Sequence, residues 1–193
     1  MEARMLVGAT QGASIFMMVN SYGSRCVDLV RAGNDYWSGK LNKVRDEPAR
    51  DWIPPPIEWS RATPNDPASD FPSFWTSIWC VSARAMTAIG ACLNGAGEIL
   101  RLEGLDDQYV GFHCLHVVDA VDKVATDACL AARNGVALAS PRFVPTLFAS
   151  ALTGDDVFRV RESFQKVFVS SRFKDAYERA GLTGLDFLPV PLS

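Results

Sequence analysis

Few side chains in this sequence have the chemistry for catalysis, and the tightest grouping of them is His113-Cys114-Leu115-His116. On a helix, two histidines three apart share a face and can hold one ion; on a strand they point apart. The surrounding run from Gln108 to Val118 alternates as a strand. Tyr109, Gly111, His113, Leu115 and Val117 fall on one face, and Val110, Phe112, Cys114, His116 and Val118 on the other. In that conformation only Cys114 accompanies His116, and no carboxylate is spaced to complete a site. Structural histidines are the favoured reading, with no metal and no cofactor expected. These are the only two histidines, which narrows general-base and triad chemistry. No G-x-S-x-G elbow is present, and a Cys114 nucleophile paired with a distant histidine has no motif behind it. Gly90 to Gly97 lacks the Lys-Ser/Thr that follows a phosphate-binding loop and reads as a helix stop plus turn. Asp106-Asp107 and Asp155-Asp156 are paired carboxylates suited in principle to acid–base work or a cation. Each pair sits in a turn-like context, where aspartate bonds local backbone, so solvated turn residues are expected. As surface acids they would raise the association rate of a basic partner more than its affinity.

The elements that must position these groups are clearest near the C-terminus. Asp155 to Val160 and Val167 to Val169 are β-forming runs. Ser170 or Ser171 then suits an N-cap, accepting from an unpaired amide of the first helical turn. Phe173, Ala176, Tyr177 and Ala180 form the apolar stripe of a helix over Arg172 to Ala180. Gly181 suits a left-handed helix stop, and a strand follows over Leu182 to Val190, with Leu185 and Phe187 pointing opposite to Asp186. The same plan occurs earlier: Ile78 to Val81, a Ser82 cap, a stripe of Ala85, Met86 and Ile89, an Asn94-Gly95 stop and a strand over Ile99 to Leu102. Val81-Ser82-Ala83-Arg84 matches Val169-Ser170-Ser171-Arg172. This is either an internal strand–helix–strand duplication or the chance recurrence of generic parts. Elsewhere, Met5 to Gly8 and Ile15 to Val19 read as strands with a turn at Thr10-Gln11-Gly12, and Gly33-Asn34-Asp35 as a turn. Val27 to Val30 suits a strand or a helical turn. Residues 119–133 suit a short helix or loop, with Val121, Val124, Ala125, Ala128 and Ala132 as its stripe. Asn134-Gly135 before Val136-Ala137-Leu138 signals a hairpin, and Phe143 to Phe148 is strand-like but broken by Pro145.

A chain of 193 residues, 48% apolar and 21% charged, is expected to form one α+β domain with mixed and antiparallel sheets and a few short helices. Its parts are a strand-rich segment over 1–45, a proline-rich extended segment over 46–75, and a core over 76–193 holding both strand–helix–strand units. A net charge of −3 argues against nucleic acid as a partner. No apolar run approaches the roughly 18 residues of a membrane helix. Met1-Glu2-Ala3-Arg4 lacks the order of a signal peptide, so a cytoplasmic protein is expected. The five cysteines are scattered, without a C-x-x-C pair, and read as buried thiols. In Trp52-Ile53-Pro54-Pro55-Pro56-Ile57-Glu58-Trp59 the prolines enforce an extended chain. Its aromatics either anchor a partner or, as favoured here, pack back onto the domain.

Several stretches in order resemble one family, the bacterial polymorphic-toxin immunity proteins of family eleven, long catalogued only as a domain of unknown function. They are Trp52-Ile53-Pro54-Pro55-Pro56; Asp70-Phe71-Pro72; Val81-Ser82-Ala83-Arg84; Val117-Val118-Asp119-Ala120-Val121-Asp122; Asp156-Val157-Phe158-Arg159; and Val169-Ser170-Ser171-Arg172 through Ala180-Gly181-Leu182-Thr183-Gly184-Leu185-Asp186-Phe187. Together they cover roughly residues 46–190. Where the family often carries a serine soon after the fourth stretch, this chain has Lys123-Val124-Ala125-Thr126. The resemblance implies an α+β fold and a non-enzymatic role, the binding and neutralising of a cognate toxin or effector encoded nearby. It implies no catalytic residues. Contact residues nominated from loops are Trp52, Trp59, Asp66, Asp70, Asp106 and Asp107. The alternative is a small hydrolase-type enzyme using His113 or His116 with a cysteine or carboxylate; a third reading is an adaptor docking through residues 51–75.

Overall fold

Two capped helices lie at the centre of the molecule, and both are set by their local sequence. A computed structural model describes residues 14–30, 41, 47–75, 77–132, 144–152 and 154–193. The expected strand at Met5 to Gly8, its turn at Thr10 to Gly12, the Gly33 to Asp35 turn and the Asn134-Gly135 hairpin lie outside these residues. In chain order the strands and helices are β1 (Ile15–Asn20), β2 (Val27–Leu29), β3 (Ile57–Trp59), β4 (Ile78–Ser82), α1 (Ala83–Leu93), β5 (Gly97–Arg101), β6 (Tyr109–Cys114), β7 (Val117–Val118), α2 (Lys123–Ala132), β8 (Val157–Val160), β9 (Ser163–Ser170), α3 (Ser171–Arg179) and β10 (Leu185–Pro189). The fold is α+β, with antiparallel and mixed sheets.

The helices begin where a serine hydroxyl takes up an orphan amide. Ser82 Oγ accepts from Ala85 N of α1, and Ser170 Oγ from Phe173 N of α3. Ser170, not Ser171, is therefore the cap. At the far ends, Gly95 and Gly181 take positive φ.

One sheet runs β10-β1-β9-β8-β7, a second β4-β6-β5, and β2 and β3 form a separate ribbon. β6 pairs antiparallel with both β4 and β5, so the two strands flanking α1 run parallel with β6 between them. β1 pairs antiparallel with both β9 and β10, and so lies in the same way between the strands flanking α3. The two units thus share a topology as well as a sequence pattern. Their middle strands come from opposite places in the chain: β6 follows its unit, whereas β1 precedes everything else described.

The core has three parts. Between the sheets, Ala85, Ile89 and Cys92 of α1 and Phe173 and Tyr177 of α3 meet Val81 and Phe112 of one sheet and Val157, Val167 and Val169 of the other. The outer face of the five-stranded sheet buries Met17, Phe158, Phe168 and Leu147. The outer face of the three-stranded sheet buries Ile78, Cys80 and Leu100 against Val27, Leu29 and Ile57 of the ribbon. Both sheets are therefore covered on both faces, which explains why Val157-Phe158-Arg159-Val160 is buried throughout and does not alternate. Gly111 on β6 has no room for a side chain: a Cβ there would stand 2.9 Å from Ile78 Cγ2.

Two expectations change. Gln108 to Val118 is not one strand. β6 ends at Cys114, the amides of Leu115 and His116 both donate to Ala96 O (2.8 and 3.0 Å), and β7 joins the other sheet parallel to β8. The alternation expected across the whole run therefore stops at Cys114. Residues 123–132 are helical, capped by Asp122 Oδ1 on Ala125 N (2.9 Å), but Val124 of the expected stripe is 83% exposed. Val27–Leu29 is a strand, and residues 144–148 make only isolated bridges, Leu147 with Val121 and Leu192. Among the described residues no helix is long and apolar enough to cross a membrane.

Candidate functional site

The chain turns between the two histidines, and each goes to a different acid. His113 is fully buried, its Nδ1 2.9 Å from Glu98 Oε1, and that oxygen also accepts from Ala49 N (2.7 Å). His116 is half-buried, with Nε2 2.9 Å from Asp155 Oδ1 at an angle outside hydrogen-bonding geometry. Cys114 lies between them in sequence, its Sγ 3.9 Å from His116 O, and burial pushes its thiol up to about 11. At neutral pH such a thiol stays protonated and is a poor nucleophile. Burial likewise pushes Cys80 up to about 12. Among the described residues no group of three or more His, Cys, Asp or Glu is placed to hold a metal ion.

The carboxylates that organise the molecule are Asp70 and Asp156, one for each unit. Asp156 Oδ1 accepts from Ser170 Oγ (2.6 Å) and Arg172 Nε (2.9 Å), Arg172 Nη2 closes on Oδ2, and Ser170 N donates to Asp156 O (2.9 Å). Asp70 repeats each bond: Oδ1 accepts from Ser82 Oγ (2.7 Å) and Arg84 Nε (3.1 Å), Oδ2 from Arg84 Nη2 (2.5 Å), and Ser82 N donates to Asp70 O (2.9 Å). In both units the hydroxyl that caps the helix is itself fixed by the carboxylate, and the arginine in the first turn neutralises it.

Asp70 does more. Its Oδ2 also accepts from Thr183 N (2.9 Å) and Thr183 Oγ1 (3.3 Å), and Arg84 reaches on to Ala180 O and Gly181 O at the end of α3 (3.3 Å each). The cation thereby meets the negative end of the α3 dipole. Burial pushes the Asp70 pKa up, but hydrogen bonds from Arg84, Ser82 and Thr183 and the Arg84 charge outweigh it and hold the carboxyl below its ordinary value. Gly184, at φ 106°, lets this loop close: a Cβ would stand 2.7 Å from both Phe71 O and Ser69 Oγ. At the opposite end of the helix pair, burial raises the Cys92 thiol in the last turn of α1, while Arg172 and Arg179 pull it down. Arg84, in the first turn of α1, thus reaches the C-terminal end of α3.

Of the nominated contact residues, Asp70 is corrected: it is 6% exposed and fully committed to the clamp. Trp52 Nε1 donates to Arg101 O (2.7 Å), and the Trp59 ring stands edge-on to Tyr109 with centroids 5.6 Å apart. Both are half-buried and hold their segment against the three-stranded sheet. Asp66 is half-buried in the Thr63 turn, its amide donating to Thr63 O (3.3 Å). Asp106 and Asp107 lie in the 3-10 turn Leu105–Asp107, with Asp107 exposed; the Asp106 side chain lies outside the described residues. The structure does not gather the five with described side chains into one site. The expected solvated role is also corrected for Asp156, whose half-buried carboxylate is held by Ser170 and Arg172. The strip 51–75 supplies β3, Phe71 and Asp70 to the core, so it is no detachable docking arm. The clamps were missed in the sequence, although a signal was present: Asp70 precedes Ser82-Ala83-Arg84 much as Asp156 precedes Ser170-Ser171-Arg172.

No protein-family model matches the chain, and no curated protein matches it at a significant level.

Proposed function

We propose that this is an immunity protein that binds a cognate toxin or effector directly and stoichiometrically, and neutralises it without chemistry of its own. The observation that carries the reading is where the ordered family-like residues fall. Asp70, Ser82, Arg84, Asp156, Ser170, Arg172 and Thr183 make the two clamps, while Phe158, Phe173 and Tyr177 fill the core. Such residues specify a scaffold. They leave recognition to surfaces that differ with the partner, in keeping with the expectation that function resides in a site carried by a fold.

Co-expression with the toxin encoded beside it tests this: the expected outcome is restored growth and a one-to-one complex. Unchanged killing with both proteins soluble would refute it. An enzymatic reading would rest on half-buried His116 beside Asp155. It predicts that His116→Asn abolishes protection, whereas on the binding reading that variant protects as well as the parent.

A further inference from the structure

We propose that the groove beside the β2–β3 ribbon receives a cationic side chain, arginine or lysine, from the partner protein. On the ribbon, Val27 faces Trp59 and Leu29 faces Ile57, which turns Val27, Leu29 and Ile57 into the core and puts Asp28 directly opposite Glu58 on the outer side. Like charges opposed across two strands destabilise the pairing. Among the described residues neither carboxylate has a hydrogen bond or ion pair, in contrast to the partnered acids of the clamps. The ribbon therefore carries a repulsion that no ion pair or hydrogen bond among the described residues offsets.

The groove at this point has a volume of about 350 Å³ and is lined by Asp28, Glu58, Arg61, Phe74 and Trp75 over a floor that includes Val27. Arg61 lines it but forms no ion pair with either acid. Aromatic walls below a carboxylate rim match a guanidinium or ammonium group: the rings attract the cation, and the acids accept its N–H donors. A cation already packs over an aromatic ring of this ribbon, where the Arg25 guanidinium carbon lies 5.1 Å from the Trp59 ring centroid. A metal ion is the poorer occupant. Hard cations take six or more oxygens, and no third His, Cys, Asp or Glu among the described residues joins these two.

That the cation belongs to a toxin rests on the function proposed above; the charge of the occupant does not. The first experiment titrates the protein with acetyl-arginine amide and, as the uncharged control, acetyl-citrulline amide, followed by amide and indole NMR. Shifts confined to Val27–Leu29, Ile57–Trp59 and Trp75 are expected with arginine only, weakened at least tenfold in Asp28→Asn/Glu58→Gln. The same double variant should melt at an unchanged or higher temperature, because it removes a repulsion. Equal shifts with citrulline, shifts elsewhere only, or a lowered melting temperature would overturn the proposal. In the co-expression assay, protection by the parent but not the double variant supports it. Protection by both would overturn the groove while leaving the immunity reading standing. No protection by either would overturn the immunity reading, and the titration would still decide the groove.

Discussion

Around Asp156 every side-chain bond comes from Ser170 or Arg172, 14 and 16 residues downstream in the same unit. Around Asp70 the same pattern is extended by Thr183, 113 residues away, and by an arginine that continues to the end of the other helix. One clamp finishes a helix; the other also ties the two units together. The fillings differ as well. The position three beyond the capping serine is fully buried in both helices, but it is Ala85 in α1 and Phe173 in α3. A repeated frame therefore carries unequal loads, and energetic symmetry should not be inferred from the repeated motif.

The strongest way to sharpen that contrast is Phe173→Ala, which gives α3 the side chain that α1 already has. A loss of about 4 kcal/mol is expected from the buried cavity, read from the denaturant midpoint. A loss under about 1 kcal/mol would mean that the neighbours collapse into the space, and that the two helices are equivalent after all.

Next in size are the clamps themselves. Asp70→Ala strands Ser82, Arg84 and Thr183 and should cost about 3 kcal/mol, whereas Asp156→Ala should cost about 1–2 kcal/mol, because its partners are local and its arginine stays solvated. Equal losses in urea unfolding would break the comparison.

Acid gives a third measurement. The folded chain holds Asp70 below its ordinary pKa, so near pH 4 the unfolded chain binds more protons there than the folded one. The stability that Asp70 contributes is complete above about pH 4 and fades as pH falls through the lower folded value. The gap in unfolding free energy between the parent and Asp70→Asn should be flat between about pH 5 and 7 and narrow below about pH 4. A gap that stays constant down to pH 2 would remove the ionised carboxylate from the account.

The smallest expected effects are Ser82→Ala and Ser170→Ala, about 1 kcal/mol each as lost N-caps. Since Ser82 also donates to the carboxylate that carries the cross-unit tie, its loss should be the larger of the two. The reverse order would show that the caps act independently of the acids behind them.

How much was legible follows from the range of each interaction. The serine caps, the glycine stops and the Phe173–Tyr177 stripe were readable because each is decided within a turn or two of chain. The break at Leu115-His116 was not, since it depends on Ala96 O accepting both amides; alternation by itself cannot show where a chain leaves one sheet for another. The exposure of Val124 in α2 was not legible for a similar reason: only tertiary packing decides which face of a helix is covered.

The sequence by itself determined the α+β character, the two serine-capped helices with their ends, and the recurrence of a strand–helix–strand pattern, all products of local backbone chemistry and side-chain period. Only the tertiary structure decided that β1 fills the place in its unit that β6 fills in the other, that His113 and His116 face different acids, and that Asp28 stands opposite Glu58. Those facts depend on strand register and chain crossing, where the energy comes from groups distant in sequence, and no local pattern encodes which of them will meet.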